Sequence, residues 1–156
     1  ASQSTSFAAD LGKWLTIMEA YLNGGHAYHA TMPTDALRAF HAAMMETKAI
    51  GFETLCAAQW EQGQAVRKML AARGIQSVAA EGFGAPGVVV SYTDDPDIQT
   101  GKKFAAVGLQ TAAGVPLMVD EGPDYRSFRI GLFGLDKLKD VPASLARLEA
   151  ALNALG

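Results

Sequence analysis

Apolar positions recur at helical spacing through the first half of the chain and at strand spacing in parts of the second. In "SFAADLGKWLTIMEAYLNGG", Phe7, Leu11, Trp14, Leu15 and Met18 share one helical face, and Asn23-Gly24-Gly25 ends it. "HAYHATMP" carries no period, and Pro33 biases Met32 toward extended backbone. Thr34 is the expected N-cap of a helix with Asp35 in its first turn and Leu37, Phe40 and Met44 on one stripe. The phase breaks at Ile50-Gly51. A second long helix then carries Phe52, Leu55, Cys56, Gln59, Trp60, Val66 and Leu70 as far as Arg73-Gly74.

After residue 75 the texture changes. "APGVVVSYT" (85–93) has a β-branched centre between turn formers and predicts a strand. "DDPDIQTGKKFAAVGL" has an Asp-Pro helix start and predicts one short helix to about Val107. "LQTAAG" predicts a weak short strand, and "VPLMVDEGPDY" a loop or sheet edge. Residues 126–132 alternate and predict a strand. Asp140 caps a last helix with Leu145, Leu148, Leu152 and Leu155 on one side. Helices followed by β-α-β-β-α predict an α+β fold: a small mixed or mostly antiparallel sheet covered on one face by helices. Residues 1–33 fall outside that layer as an arm, and 34–156 form the small domain with its long helices.

Composition narrows the function classes. The chain has 156 residues, 49% apolar and 19% charged, enough for one real core. A net charge of −3 with scattered Lys and Arg argues against nucleic acid, and no basic amphipathic stretch argues for a membrane surface. Cys56 alone rules out an intrachain disulfide, and three histidines (His26, His29, His41) at poor spacing give no metal site. With no leader pattern and no membrane-length apolar run, a cytoplasmic location is expected. The opening "ASQSTSF" lacks an initiator Met, so the expectation is a processed chain, a trimmed one or a fragment.

Alternation in "SFRIGLFG" places Phe128, Ile130 and Leu132 on one face and Ser127, Arg129, Gly131 and Phe133 on the other. Small neighbours leave room at the guanidinium for a planar carboxylate and two parallel hydrogen bonds. A snorkelling arginine or an internal ion pair is the commoner fate of such a residue. Tyr28 and Thr31 offer two hydroxyls, three residues apart, to a phosphate, although such pairs also arise by chance before a Pro-led helix. Cys56 is expected to be a small buried core residue, and His29 and His41 exposed residues without a role. The acidic "DDPD" reads as a helix start, since it lacks the Gly and Glu of a calcium loop.

Taken together, "SFAADLGKWL", "YHATMP" and "FRIGLFG" followed by a terminal helix resemble the C-terminal part of a class V, fold-type I, pyridoxal-phosphate-dependent aminotransferase. The resemblance spans nearly the whole chain and is greatest to the alanine–glyoxylate and serine–glyoxylate group. It implies that Arg129 holds the α-carboxylate of the amino acid and 2-oxo acid. It further implies that Tyr28 and Thr31 donate to the phosphate of pyridoxal 5'-phosphate in the neighbouring subunit of a homodimer. A carboxylate clamp of this kind fixes Cα for loss of its proton, while the cofactor is the electron sink.

The family's Schiff-base lysine, and the Asp that pairs with the pyridine nitrogen, would lie before residue 1. None of the seven lysines (13, 48, 68, 102, 103, 137, 139) matches the lysine's context. The chain is therefore expected to contain no catalytic residue and to be inactive alone. The related cysteine desulfurases need a Cys on the loop before the arginine strand, and residues 110–128 contain none. The intact enzyme is expected to move an amino group between alanine or serine and glyoxylate or pyruvate. Two alternatives remain open: a stand-alone α+β module that binds a small anion or dimerises, and an Arg129 engaged only in a structural ion pair. The strand "VVVSYT" offers no acid for the latter.

Overall fold

The computed structural model describes residues 6–31 and 33–155. Its backbone groups into two units, Ala1–Met44 and Met45–Gly156. The expectations for residues 1–5 and for Met32 lie outside the described residues.

The first unit holds helix α1 (Leu11–Leu22) and the start of α2 (Thr34–Ile50). α1 starts later than the Phe7 stripe suggests because Asp10 caps it, accepting from the Lys13 N–H at 3.0 Å. It ends as expected: Gly25 N–H reaches Ala20 O and Gly24 N–H reaches Tyr21 O, a Schellman closure. Thr34 is the first helical residue of α2 rather than its cap, since the carbonyl of Pro33 already accepts from Leu37 N–H. Leu11, Leu15 and Met18 of α1 and Leu37, Phe40 and Met44 of α2 are exposed.

In the second unit, α3 (Phe52–Ala71) leads to strand β1 (Val88–Tyr92). Two short helices, α4 (Pro96–Gln99) and α5 (Lys102–Ala106), stand where one was expected. Gly101 divides them at φ 80°, a left-handed backbone that opens the second helix and that other residues adopt reluctantly. Strands β2 (Ala112–Ala113) and β3 (Ser127–Gly131) precede α6 (Leu135–Leu138) and α7 (Val141–Leu155). The side chain of Asp140 caps α7 through Ala143 N–H at 2.9 Å, as predicted.

The three strands form an antiparallel sheet in the order β1-β3-β2, with Val90 and Ala112 on either side of Arg129 in register. The segment 76–78, not predicted as extended, runs along the free edge of β1. Val78 N–H bonds Val90 O and Tyr92 N–H bonds Gln76 O. Helices α3, α5 and α7 cover one sheet face. Val66 and Leu70 of α3, Val89 of β1, Phe104 of α5, Phe128 and Ile130 of β3, and Leu148 and Leu152 of α7 form the core. Phe104 and Phe128 meet as a tilted ring pair with centroids 5.1 Å apart. Cys56 is not part of this core. It is exposed, because the buried stripe of α3 runs through Leu55, Gln62, Val66 and Leu70 and leaves position 56 to the side.

Candidate functional site

Strand alternation puts Arg129 on the sheet face opposite Phe128 and Ile130, and the register adds Val90 and Ala112 to that face. The side chain is half-buried. Its Nε–H donates to the carbonyl oxygen of Ala113 at 2.9 Å, and among the described residues no carboxylate lies within ion-pair distance. One N–H of five is thus used to fix the plane of the guanidinium, leaving the Nη edge for a planar anion. The structural ion pair weighed for this arginine is absent among the described residues.

The surroundings of Arg129 are not symmetric. Gly131 is exposed and keeps that side open, with the exposed Phe133 ring next to it. Ser127 is buried instead, closed over by Gly114, whose N–H bonds Ser127 O at 2.8 Å. A Cβ at 114 would overlap Ser127 Oγ and stand 2.6 Å from Ser127 O. The small residue expected to give room on this side is therefore a packing contact. Gly114 sets how close β2 comes to β3, and hence where the Ala113 carbonyl meets Arg129.

The loop between β2 and β3 is organised by Glu121. Its carboxylate accepts from the N–H of Leu117 and, at 3.0 Å, from that of Val119. Met118 and Asp120 take left-handed backbone at φ 60° and 65°. Desolvation is the largest single influence on this carboxyl and raises its pKa. The backbone N–H groups of residues 117–119 and 121 together outweigh it and hold the pKa below the usual range. Val115, Leu117, Met118 and Val119 of this loop are exposed.

In the first unit, Tyr28 and Thr31 come together. Their hydroxyl oxygens are 3.1 Å apart in a non-helical, exposed segment, with Tyr28 71% exposed. The residue that holds this segment was expected to have no role. His29 Nε2 lies 3.1 Å from Phe7 O, and its ring packs on Phe7 and edge-on to Trp14, with centroids 4.2 and 5.1 Å apart. Its partners lie far back in the chain, at Phe7 and Trp14, so no local pattern in the sequence marks it. Among the described residues there is no group of three or more metal-ligating side chains, and no helix is long and apolar enough to cross a membrane.

No family model matches the chain, and no curated protein does. Solved structures do. Alanine–glyoxylate aminotransferase from Nostoc sp. superposes with a TM-score of 0.73 at 16% identity, over 99% of this chain and 38% of that one. Ureidoglycine–glyoxylate aminotransferase from Bacillus subtilis gives 0.66 at 22% identity, over 96% of this chain and 38% of that one. The fold is that of a segment of the glyoxylate aminotransferases. The expected α+β layer and the resemblance carried by the "YHATMP" and "FRIGLFG" segments agree with these neighbours. The chain spans just over a third of the length of either neighbour.

Proposed function

We propose that this chain is the C-terminal part of a cytoplasmic, homodimeric, pyridoxal 5'-phosphate-dependent aminotransferase. It moves an amino group between alanine or serine and glyoxylate or pyruvate. The observation that carries the reading is Arg129: a guanidinium held in plane by the Ala113 carbonyl, with no carboxylate partner among the described residues, on a sheet face open at Gly131. In this role it binds the substrate α-carboxylate through its Nη edge and so orients Cα.

The paired hydroxyls of Tyr28 and Thr31 fit a phosphate, since both can turn their O–H toward an anion and both are exposed. They would hold the cofactor phosphate of the neighbouring subunit. When bound, the cofactor supplies the electron sink for the chemistry at Cα. None of the seven lysines is assigned the covalent role, so the chain alone is inactive in this reading.

The test is Arg129→Ala in the intact enzyme, read by single-turnover kinetics of the amino-acid half-reaction. Loss of a charge-assisted clamp is expected to lower its efficiency by about 2–4 kcal/mol equivalent. Unchanged kinetics would remove Arg129 from the site.

A further inference from the structure

We propose that His29 is the positioning residue of the phosphate site formed by Tyr28 and Thr31, fixing both hydroxyls in place before an anion arrives. This role rests on the reading of those hydroxyls as phosphate donors. Tyr28 and Thr31 are exposed, so packing fixes neither. Residues 26–31 form no helix or strand, and among the described residues none of their backbone N–H or C=O groups enters a backbone hydrogen bond. A segment left free in this way would have to be ordered by its ligand, and that ordering is subtracted from affinity.

His29, between the two, is half-buried. The carbonyl oxygen of Phe7 can only accept, so the His29 Nε2–H donates to it at 3.1 Å, across 22 positions of sequence. The ring packs tilted on Phe7 and edge-on to Trp14, with centroids 4.2 and 5.1 Å apart. That frame is itself fixed. Trp14 Nε1–H donates to Ala8 O at 3.1 Å, and Asp10 caps α1 through Lys13 N–H at 3.0 Å.

One side chain therefore ties the hydroxyl-bearing segment to the start of α1, from a position between the two hydroxyls. Tyr28 Oη and Thr31 Oγ1 stand 3.1 Å apart, within reach of one phosphate group. His26 provides the contrast. It meets Tyr21 edge-on with centroids 5.9 Å apart, a neighbour in sequence, so this contact fastens no distant segment. In its role His29 touches no phosphate oxygen. It acts through Tyr28 and Thr31, by lowering the ordering cost of binding.

The experiment measures dissociation constants of pyridoxal 5'-phosphate and of pyridoxal, which lacks the phosphate, for the apo form of the intact enzyme. The preference for the first over the second isolates what the phosphate contributes. His29→Leu should weaken pyridoxal 5'-phosphate about tenfold and leave pyridoxal unchanged, the size expected for one lost hydrogen bond and a ring contact. His29→Phe keeps the ring packing and removes only the bond to Phe7 O. It should weaken pyridoxal 5'-phosphate about threefold, and it serves where the leucine variant does not fold. His26→Ala should change neither constant. On a Tyr28→Phe/Thr31→Val background, His29→Leu should have no further effect, because it acts through those hydroxyls. In the 156-residue chain, amide order parameters at residues 26–31 should fall in His29→Leu. Equal weakening of both ligands, losses that add to those of the hydroxyl variant, or unchanged order parameters would overturn the proposal. If Tyr28→Phe/Thr31→Val itself leaves the preference intact, the phosphate reading of the hydroxyls falls. If that variant lowers the preference and neither His29 variant does, only the positioning role falls.

Discussion

Replacing Gly114 by Ala tests whether β2 is what holds Arg129 in place. The new Cβ would overlap Ser127 Oγ and sit 2.6 Å from Ser127 O, and backbone of a paired strand gives way poorly. Strand β2 is only two residues long and at the sheet edge, so the cheaper response is for it to withdraw from β3. Withdrawal breaks the Gly114 N–H to Ser127 O bond and the Arg129 Nε–H to Ala113 O bond. A neutral bond contributes about 1 kcal/mol and one from a charged group about 1.5–3, so the loss is about 2.5–4 kcal/mol. Part of that is local opening rather than global unfolding, and two measurements separate them. Urea titration should show destabilisation of at most that size. The Arg129 Nε–H signal, expected to exchange slowly in the parent chain because of its bond to Ala113 O, should in the variant exchange at the rate of a free guanidinium. Ser127→Gly in the same background removes the hydroxyl overlap and should restore part of both. If Gly114→Ala leaves stability within about 0.5 kcal/mol and the Nε–H still protected, the Ala113 carbonyl does not orient Arg129.

Three further outcomes are expected. Phe128→Ala empties a fully buried ring site facing Phe104 and should cost about 3–5 kcal/mol in urea or thermal unfolding, against at most about 1 for the exposed Phe133→Ala. Asp140→Ala removes the α7 cap and should cost about 1 kcal/mol, with Asp140→Ser recovering most of it. The Glu121 carboxyl has a lowered folded pKa, so its contribution is full above its unfolded pKa and is lost as pH falls through the folded value. Hydrogen exchange at Leu117 and Val119 should therefore accelerate only at acidic pH, and Glu121→Gln should remove that dependence.

What could be read in advance follows from how local each signal is. Helices α1, α2, α3 and α7 and strand β3 each carry a repeated apolar period, and β1 a β-branched run between turn formers; both are properties of neighbouring residues. Helix α6, four residues of "LDKL", is too short to show one, and the break at Gly101 depends on one backbone angle. The 76–78 edge pairing and the exposure of Cys56 depend on partners far along the chain. The candidate site divides the same way. Period 2 was enough to put Arg129 on the face away from the core, and two hydroxyls at 28 and 31 could be seen as a pair. The closure of Ser127 could not, because it comes from Gly114, thirteen positions earlier. Nor could His29 as anchor of the Tyr28 segment, since its partners lie at Phe7 and Trp14.

A comparison with Arg67 shows why Arg129 in particular is read as an anion clamp. Neither arginine has an acid partner among the described residues, so lack of an ion pair alone does not distinguish them. Arg67 donates to three carbonyls, Ala85 O at 2.7 Å, Val88 O at 3.0 Å and Gly63 O at 3.3 Å, while Gly84 packs flat against its guanidinium. Burial pushes its pKa below the ordinary arginine value, the response of a cation surrounded by dipoles and not by counter-charge. Its Nη donors fasten residues 84–88 to α3, and its Nε–H is buried under Gly84 without a partner among the described residues, so neither edge is held open toward an anion as in Arg129. Arg129 gives one N–H to a carbonyl and keeps the rest on a sheet face where Gly131 leaves room. A guanidinium fixed at one edge and unsatisfied at the other is preorganised for a carboxylate, because the orientation is already set before the anion arrives.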